Sequence, residues 1–259
     1  MAAGRARTLR ARSHADAGGF HRVVQYGDTP ASSIEVFSRS SERRPTFVMF
    51  HGGWWQEGSI DDGGRYAEAI VSLGATHVAV GYPLAPNASL PRIVEAAAAS
   101  ISYLIKHADQ LACDPSHIVV GGHSAGAHLA AMLVTERVPE HIRQSITGLM
   151  LIGGAFDLAP IAESYVNDRV GMSARDVHEL SPVNYLPASR IPVLLRVGEL
   201  EPSEFHRQSV LLQERWSPSA TVTRALVPGR DHFDVLDELD SPSGSLLHEV
   251  AELLQAPHS

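Results

Sequence analysis

Ile118-Val119-Val120-Gly121-Gly122-His123-Ser124-Ala125-Gly126-Ala127-His128-Leu129 is the stretch on which the reading of this chain turns. Three branched apolar residues read as a strand, Gly122 to Gly126 form a G-x-S-x-G motif, and an Ala-rich helical pattern runs on from Ala125 to Glu136. A serine on a tight strand-to-helix turn is held in a strained, exposed conformation, while small residues on either side let neighbouring backbone pass close by. The helix amino terminus then offers N–H groups to a developing anion. A glycine-rich turn with a capping serine would look similar in isolation. The strand before Ser124 and the helix after it favour a nucleophile.

The segments on either side extend this pattern. Ile34 to Phe37 alternates as a half-buried strand does. Thr46 to Phe50 is continuously apolar, as expected of a strand covered on both faces, and Thr76 to Val80, His117 to Val120, Leu149 to Ile152, Val193 to Val197 and Thr221 to Val227 read the same way. Helical patterns fall between them at Tyr66 to Leu73, Pro91 to His107, Ala125 to Glu136, Glu204 to Trp216 and Ser245 to Leu254. Alternating strands and helices imply an α/β fold, a mainly parallel sheet with helices on both faces and reactive groups at the carboxyl ends of the strands. Ala155 to Ser189 has a weaker pattern and is expected to form short helices over the site.

The 259 residues carry no repeat and no Gly/Ser-rich linker, so residues 21–259 are expected to form a single domain with a minimal cap. Residues 1–20 include Arg5, Arg7, Arg10 and Arg12 and are expected to be a basic, flexible tail. The net charge of −8, with 21 Lys+Arg against 29 Asp+Glu, argues against nucleic acid as the partner. No apolar run approaches the ~20 residues of a membrane helix. A single cysteine, Cys113, excludes an internal disulfide framework and points to a reducing cytoplasm. Fourteen histidines invite a metal reading, but there is no H-E-x-x-H and no thiolate pair. There is also no phosphate loop and no dinucleotide fingerprint, so neither metal nor cofactor is implied.

A serine nucleophile needs a base, an acid and an oxyanion hole. His232 is the best base, because Pro228-Gly229-Arg230-Asp231-His232-Phe233 is a turn-rich segment following the last strand. The acid belongs after Val193 to Val197, where Glu199 and Glu201 are both candidates. His51-Gly52-Gly53-Trp54 ends the strand Thr46 to Phe50. The N–H groups of Gly52, Gly53 and Ala125 are the expected oxyanion donors.

These residues resemble the α/β-hydrolase family, and within it the H-G-G-x-W branch that includes kynurenine formamidase (arylformamidase), near the hormone-sensitive-lipase-like esterases. The resemblance spans roughly Gln25 to Leu254. It rests on His51-Gly52-Gly53-Trp54-Trp55-Gln56, Gly81-Tyr82-Pro83-Leu84-Ala85-Pro86, Gly122 to Leu129, Gly154-Ala155-Phe156-Asp157-Leu158, Glu204 to Ser209 and Asp231-His232-Phe233. It implies Glu201, three residues after the glycine that ends its strand, as the acid. It further implies release of a formyl or other small acyl group from an aromatic amide, through an acyl-enzyme.

Trp54, Phe156, Tyr165, Phe205 and Phe233 are the candidates for surrounding a flat substrate, and Asp157 and Asn167 for meeting an amino-acid head group. The second tryptophan, Trp55, departs from the family pattern and bears on substrate identity. A carboxylesterase for short acyl esters is the rival within enzymes. A hydrolase-fold binding protein without turnover is the rival outside them. The sequence does not decide between a monomer and a homodimer.

Overall fold

The structure is a computed structural model and describes residues 2–16 and 19–256. Its strands are β1 (Phe20–Gln25), β2 (Ser33–Ser38), β3 (Arg44–Phe50), β4 (Thr76–Val80), β5 (Cys113–His123), β6 (Ile146–Ile152), β7 (Pro192–Gly198) and β8 (Thr221–Val227). They form one sheet in the order β1-β2-β4-β3-β5-β6-β7-β8. The hairpin β1–β2 and the pair β2–β4 are antiparallel, and every pairing from β4 to β8 is parallel.

The helices are α1 (Ala2–Asp16), α2 (Ile60–Gly63), α3 (Ala67–Ser72), α4 (Leu90–Lys106), α5 (Ala125–Met132), α6 (Glu140–Ser145), α7 (Ala159–Ala162), α8 (Asn167–Val170), α9 (Ala174–Glu179), α10 (Ser203–Trp216), α11 (Asp237–Asp240) and α12 (Ser245–Gln255). Continuous apolar runs make sense here because the sheet is covered twice. On β3, Val48 and Phe50 enter the core beneath α4 and α5, while Phe47 and Met49 enter the core beneath α3 and α12. On β5, Ile118 and Val120 take the first side and Val119 the second. Helix α4 starts with Pro91 in its first turn and buries Leu90, Ile93, Val94, Ala97, Ile101 and Leu104, a stripe at helical spacing. Every residue of α5 is buried, which its Ala-rich sequence permits by letting helix and sheet approach closely. Ala155 to Ser189 folds as the short helices α7, α8 and α9, as its weak pattern implies. Among the described residues no helix is long and apolar enough to cross a membrane.

Three features differ from the sequence reading. Strand β8, expected to be covered on both faces, is the edge strand at the far end of the sheet, and of its residues only Val227 is buried. Strand β1 was not anticipated: it lies at the sheet edge, several of its residues are exposed, and it lacks a clean alternation. The expected basic tail also contains structure. Met1, Ala17 and Gly18 lie outside the described residues, but Ala2–Asp16 is helix α1, and its Thr8 and Ala11 are buried. Arg12 makes a two-pronged bond to Glu35 of β2, at 2.6 and 2.7 Å, and a third bond to Asp61 of α2 at 2.6 Å. Arg7 pairs with Asp237 and Asp240 of α11. Two of the arginines that made the segment look like a solvated tail, Arg7 and Arg12, thus find acidic partners on the folded body.

The register places the site. Phe50 lies opposite Gly122, His123 opposite Ile152, and Gly198 opposite Val227. The carboxyl ends of β3, β5, β6, β7 and β8 are therefore aligned along one sheet edge.

Candidate active site

Ser124 follows directly on β5 and caps α5 with φ 55° and ψ −118°, a left-handed conformation that costs a non-glycine residue strain. The elbow is held because its N–H donates to the Ile152 carbonyl at 2.8 Å. Close backbone approach explains the flanking glycines. A Cβ on Gly126 would come within 2.1 Å of the Phe50 carbonyl oxygen, and one on Gly122 within 2.2 Å of the Gly126 oxygen.

His232 reaches the site from the turn after β8. Its Nδ1–H donates to Glu201 Oε2 at 2.6 Å, and the other Glu201 oxygen accepts the Gly198 N–H at 2.8 Å. The Glu201 side chain is completely buried. Local chain geometry selects it over Glu199. The Glu201 N–H donates to the Gly198 carbonyl at 3.1 Å, which turns the chain back and brings residue 201 under the sheet end. Glu199 instead continues the β7–β8 ladder and accepts the Gly229 N–H with its exposed carboxylate. With Nδ1 committed to Glu201, Nε2 is the nitrogen through which His232 could act as a base. Among the described residues no hydrogen bond joins Ser124 Oγ to His232; such bonds commonly tighten only once substrate is in place.

Gly153 at the end of β6 was not singled out in the sequence. It adopts φ 51°, and a Cβ there would come within 2.9 Å of Glu201 Oε2 and 3.1 Å of His232 Nδ1. Its absent side chain is what lets Glu201 and His232 meet. The signal in the sequence was the Gly153-Gly154 pair closing an apolar strand.

The loop after β3 is pinned from both sides. The Tyr82 hydroxyl donates to the His51 carbonyl at 2.7 Å, with the two rings stacked at 4.1 Å. His51 Nδ1–H donates to the Gly52 carbonyl, and burial holds the His51 pKa below its ordinary value. A Cβ on Gly52 would lie 3.2 Å from the Ser124 Cβ, so this loop lies directly against the serine. Ala125 N–H belongs to the first turn of α5, where no intrahelical acceptor is available. Gln56 Nε2 donates to the Val166 carbonyl at 2.8 Å and ties the loop to the short-helix segment above it.

The aromatic candidates separate. Phe205 stacks on His232 at 4.2 Å, Trp54 lies 6.1 Å from Phe205, and Phe233 meets His232 edge-on at 5.4 Å. Phe233 is 75% exposed. Tyr165 is 80% exposed and precedes Val166, the residue bound by Gln56. Phe156 is not part of this group. It is buried in the main core beneath Gly154, because its backbone N–H is captured by Gln208 at 2.7 Å and its ring turns inward. Trp55 is likewise wholly buried, edge-on to His128 at 5.0 Å, so its bulk fills core rather than the cleft. Asn167 spends its amide on the Ala162 and Met172 backbone, and Asp157 pairs with Arg207 at 2.9 Å. Both are engaged in local structure.

Comparisons with known proteins bear on the fold and the class of enzyme. Residues 47–192 match the model of a family with the alpha/beta hydrolase fold. Kynurenine formamidase of Danio rerio is 32% identical over 225 residues, covering 83% of this chain and 75% of the relative. The Salmo salar enzyme of the same name is 30% identical, covering 83% and 76%. A solved esterase from Pyrobaculum calidifontis superposes with a TM-score of 0.74 at 22% identity, over 97% of this chain and 90% of the esterase. This chain belongs to the α/β-hydrolase family and is an enzyme of the hydrolase type.

Proposed function

We propose that the protein removes a formyl or similarly small acyl group from an aromatic amide, as a kynurenine formamidase does. The observation that carries this reading is the aromatic wall of Trp54, Phe205 and Phe233 around His232, in a chain 32% identical to such a formamidase. A flat aryl ring has large contact area there.

In this reading Ser124 Oγ attacks the formyl carbon while its proton passes to His232 Nε2. Glu201 holds the imidazole by Nδ1 and stabilises its positive charge without taking the proton. Oxygen gains the negative charge, and the N–H groups of Gly52, Gly53 and Ala125 receive it. Collapse breaks the C–N bond, and His232 delivers the proton to the leaving aromatic amine. Water, deprotonated by His232, then attacks the formyl-serine and releases formate and free Ser124. A substrate of this size matches a cap built only from α7, α8 and α9, with exposed Tyr165 and Phe233 at its border. The single, buried Cys113 supports a reducing, cytoplasmic setting, and action as monomer or homodimer is compatible with the reading.

The test is a panel of N-formylkynurenine, simpler N-formylanilines and short p-nitrophenyl esters with wild type and Ser124→Ala. The expected result is a higher kcat/KM on the formamides, and loss of turnover by ~10⁴-fold or more in Ser124→Ala. Esters preferred over formamides by a wide margin would replace the reading with a carboxylesterase. That alternative is favoured by similarity to Esterase LipC of Mycobacterium tuberculosis, 26% identical over 92% of this chain and 65% of the relative.

A further inference from the structure

His123 precedes the proposed nucleophile and contacts two other parts of the site. A carbonyl oxygen can only accept, so His123 Nε2 carries the proton and donates it to the His232 backbone oxygen at 2.7 Å. The two imidazole rings lie 4.6 Å apart and tilted by 42°. On its other side, His123 Nδ1 would be 2.8 Å from a Cβ on Gly52, so the ring also backs the oxyanion loop. One side chain therefore touches the loop bearing the base and the loop bearing the oxyanion donors, and the backbone of the same residue leads into Ser124.

We infer that His123 is a positioning residue, whose Nε2–H bond to the His232 carbonyl and ring contact with Gly52 set the base and the oxyanion loop relative to Ser124. The inference rests on the hydrolase reading above. Neither loop is fixed by the sheet alone: His232 lies beyond the last β7–β8 pair, Gly198 with Val227, and Gly52 beyond the last β3–β5 pair, Phe50 with Gly122. A direct tie between them is what the ladder does not supply.

The role also requires an uncharged His123. Burial, reinforced by the nearby His232, lowers its pKa to about 3. Only His232 then becomes positive during turnover, and the imidazolium meets no like charge 4.6 Å away. A hydrophobic residue at 123 would keep that neutrality but lose the hydrogen bond. A glutamine would keep a donor near the position of Nε2.

The experiment compares wild type, His123→Phe and His123→Gln in two assays: labelling of Ser124 by diisopropyl fluorophosphate, and kcat and KM on the best substrate of the panel. His123→Phe should label ~10- to 100-fold more slowly and lose kcat in proportion, since displacements near 1 Å cost that much. Its KM should stay within about twofold, because the bond lost is to backbone and not to substrate. His123→Gln should recover most of the loss.

A folded His123→Phe that labels and turns over at the wild-type rate overturns the inference. So does a His123→Gln as slow as His123→Phe. If His123→Phe has no cooperative melt, His123→Asn, whose donor falls short of the carbonyl, takes its place with the same two outcomes. Wild type that fails to label overturns instead the hydrolase reading beneath it.

Discussion

Two buried glutamates among the described residues each bind an imidazole, and one of them lies in the candidate active site beside Ser124. Glu201 accepts His232 Nδ1 at 2.6 Å, and Glu35 accepts His21 Nε2 at 2.8 Å, both with wholly buried side chains. The difference lies in the rest of each carboxylate's surroundings. Glu35 also takes both prongs of Arg12, whose guanidinium is held well above its ordinary pKa, first by the hydrogen bond to Glu35. Its negative charge is cancelled permanently. Among the described residues the Glu201 carboxylate has, besides its histidine, only a neutral N–H from Gly198, so no fixed cation answers it before an imidazolium forms beside it. A Glu–His contact is therefore not a site by itself. What matters is whether a fixed cation already answers the carboxylate, and whether the imidazole stands beside a nucleophile.

The sharpest break between the two would come from Glu201→Gln. It keeps an acceptor for Gly198 but removes the charge and the preferred tautomer of His232. Turnover should fall ~10³- to 10⁴-fold, while stability changes by no more than about 1 kcal/mol. Steady-state kinetics paired with urea titration would check this. Loss of stability with turnover intact would make Glu201 a second Glu35.

Arg12→Ala tests the other half of the comparison. Among the described residues it leaves buried Glu35 with His21 as its side-chain partner, and breaking a buried pair from one side costs about 3 kcal/mol. The urea midpoint should drop accordingly while kcat stays within about twofold. A large fall in kcat at unchanged stability would contradict a purely structural role for this pair.

How much of this was legible in the sequence follows from the distance between partners. The elbow around Ser124 and the glycine loop at Gly52 are local motifs, each complete within a few residues, and the fold reading from strand and helix periods follows the same logic. Helix α1 was illegible because its meaning lies in partners 23 residues away at Glu35, 49 away at Asp61 and 233 away at Asp240. Glu201 could be separated from Glu199 only by family resemblance, since the deciding hydrogen bonds come from Gly198, Gly229 and the β7–β8 ladder. Aromatic residues were poorly resolved for a related reason. Phe156 and Phe233 both stand in turn-like surroundings in the sequence, yet one packs in the core and the other projects into solvent.

Histidines whose hydrogen bonds go to backbone carbonyls extend the comparison to acid. His77, His123 and His128 are buried, each donating Nε2–H to a backbone carbonyl at 2.7–2.8 Å. Burial lowers their pKa values to about 4, 3 and 4. In the unfolded chain each returns to ~6.5. Between pH 6.5 and about 4 the unfolded state binds protons that the native state refuses, so stability falls as pH falls. Each contributes a slope approaching about 1.4 kcal/mol per pH unit. Below their folded values this dependence ends. Urea midpoints at pH 7, 6 and 5 should decline progressively; equal midpoints would mean that these imidazoles are protonated in the native state.

The smallest expected effect falls on Glu199, which shares a turn with Glu201 and differs from it in where the chain sends it. Its carboxylate is exposed and accepts a single N–H, from Gly229 at 2.8 Å. Glu199→Gln keeps an oxygen for that bond, and a solvated charge contributes little, so stability should change by less than about 0.5 kcal/mol and kcat/KM by less than about twofold. Measured beside Glu201→Gln, it isolates the effect of position, because both variants make the same chemical change two residues apart. If Glu199→Gln also lost turnover by orders of magnitude, the turn closed by the Glu201 N–H to Gly198 bond would not be what selects the acid. The comparison with Glu35 would then have to be drawn from the wrong glutamate.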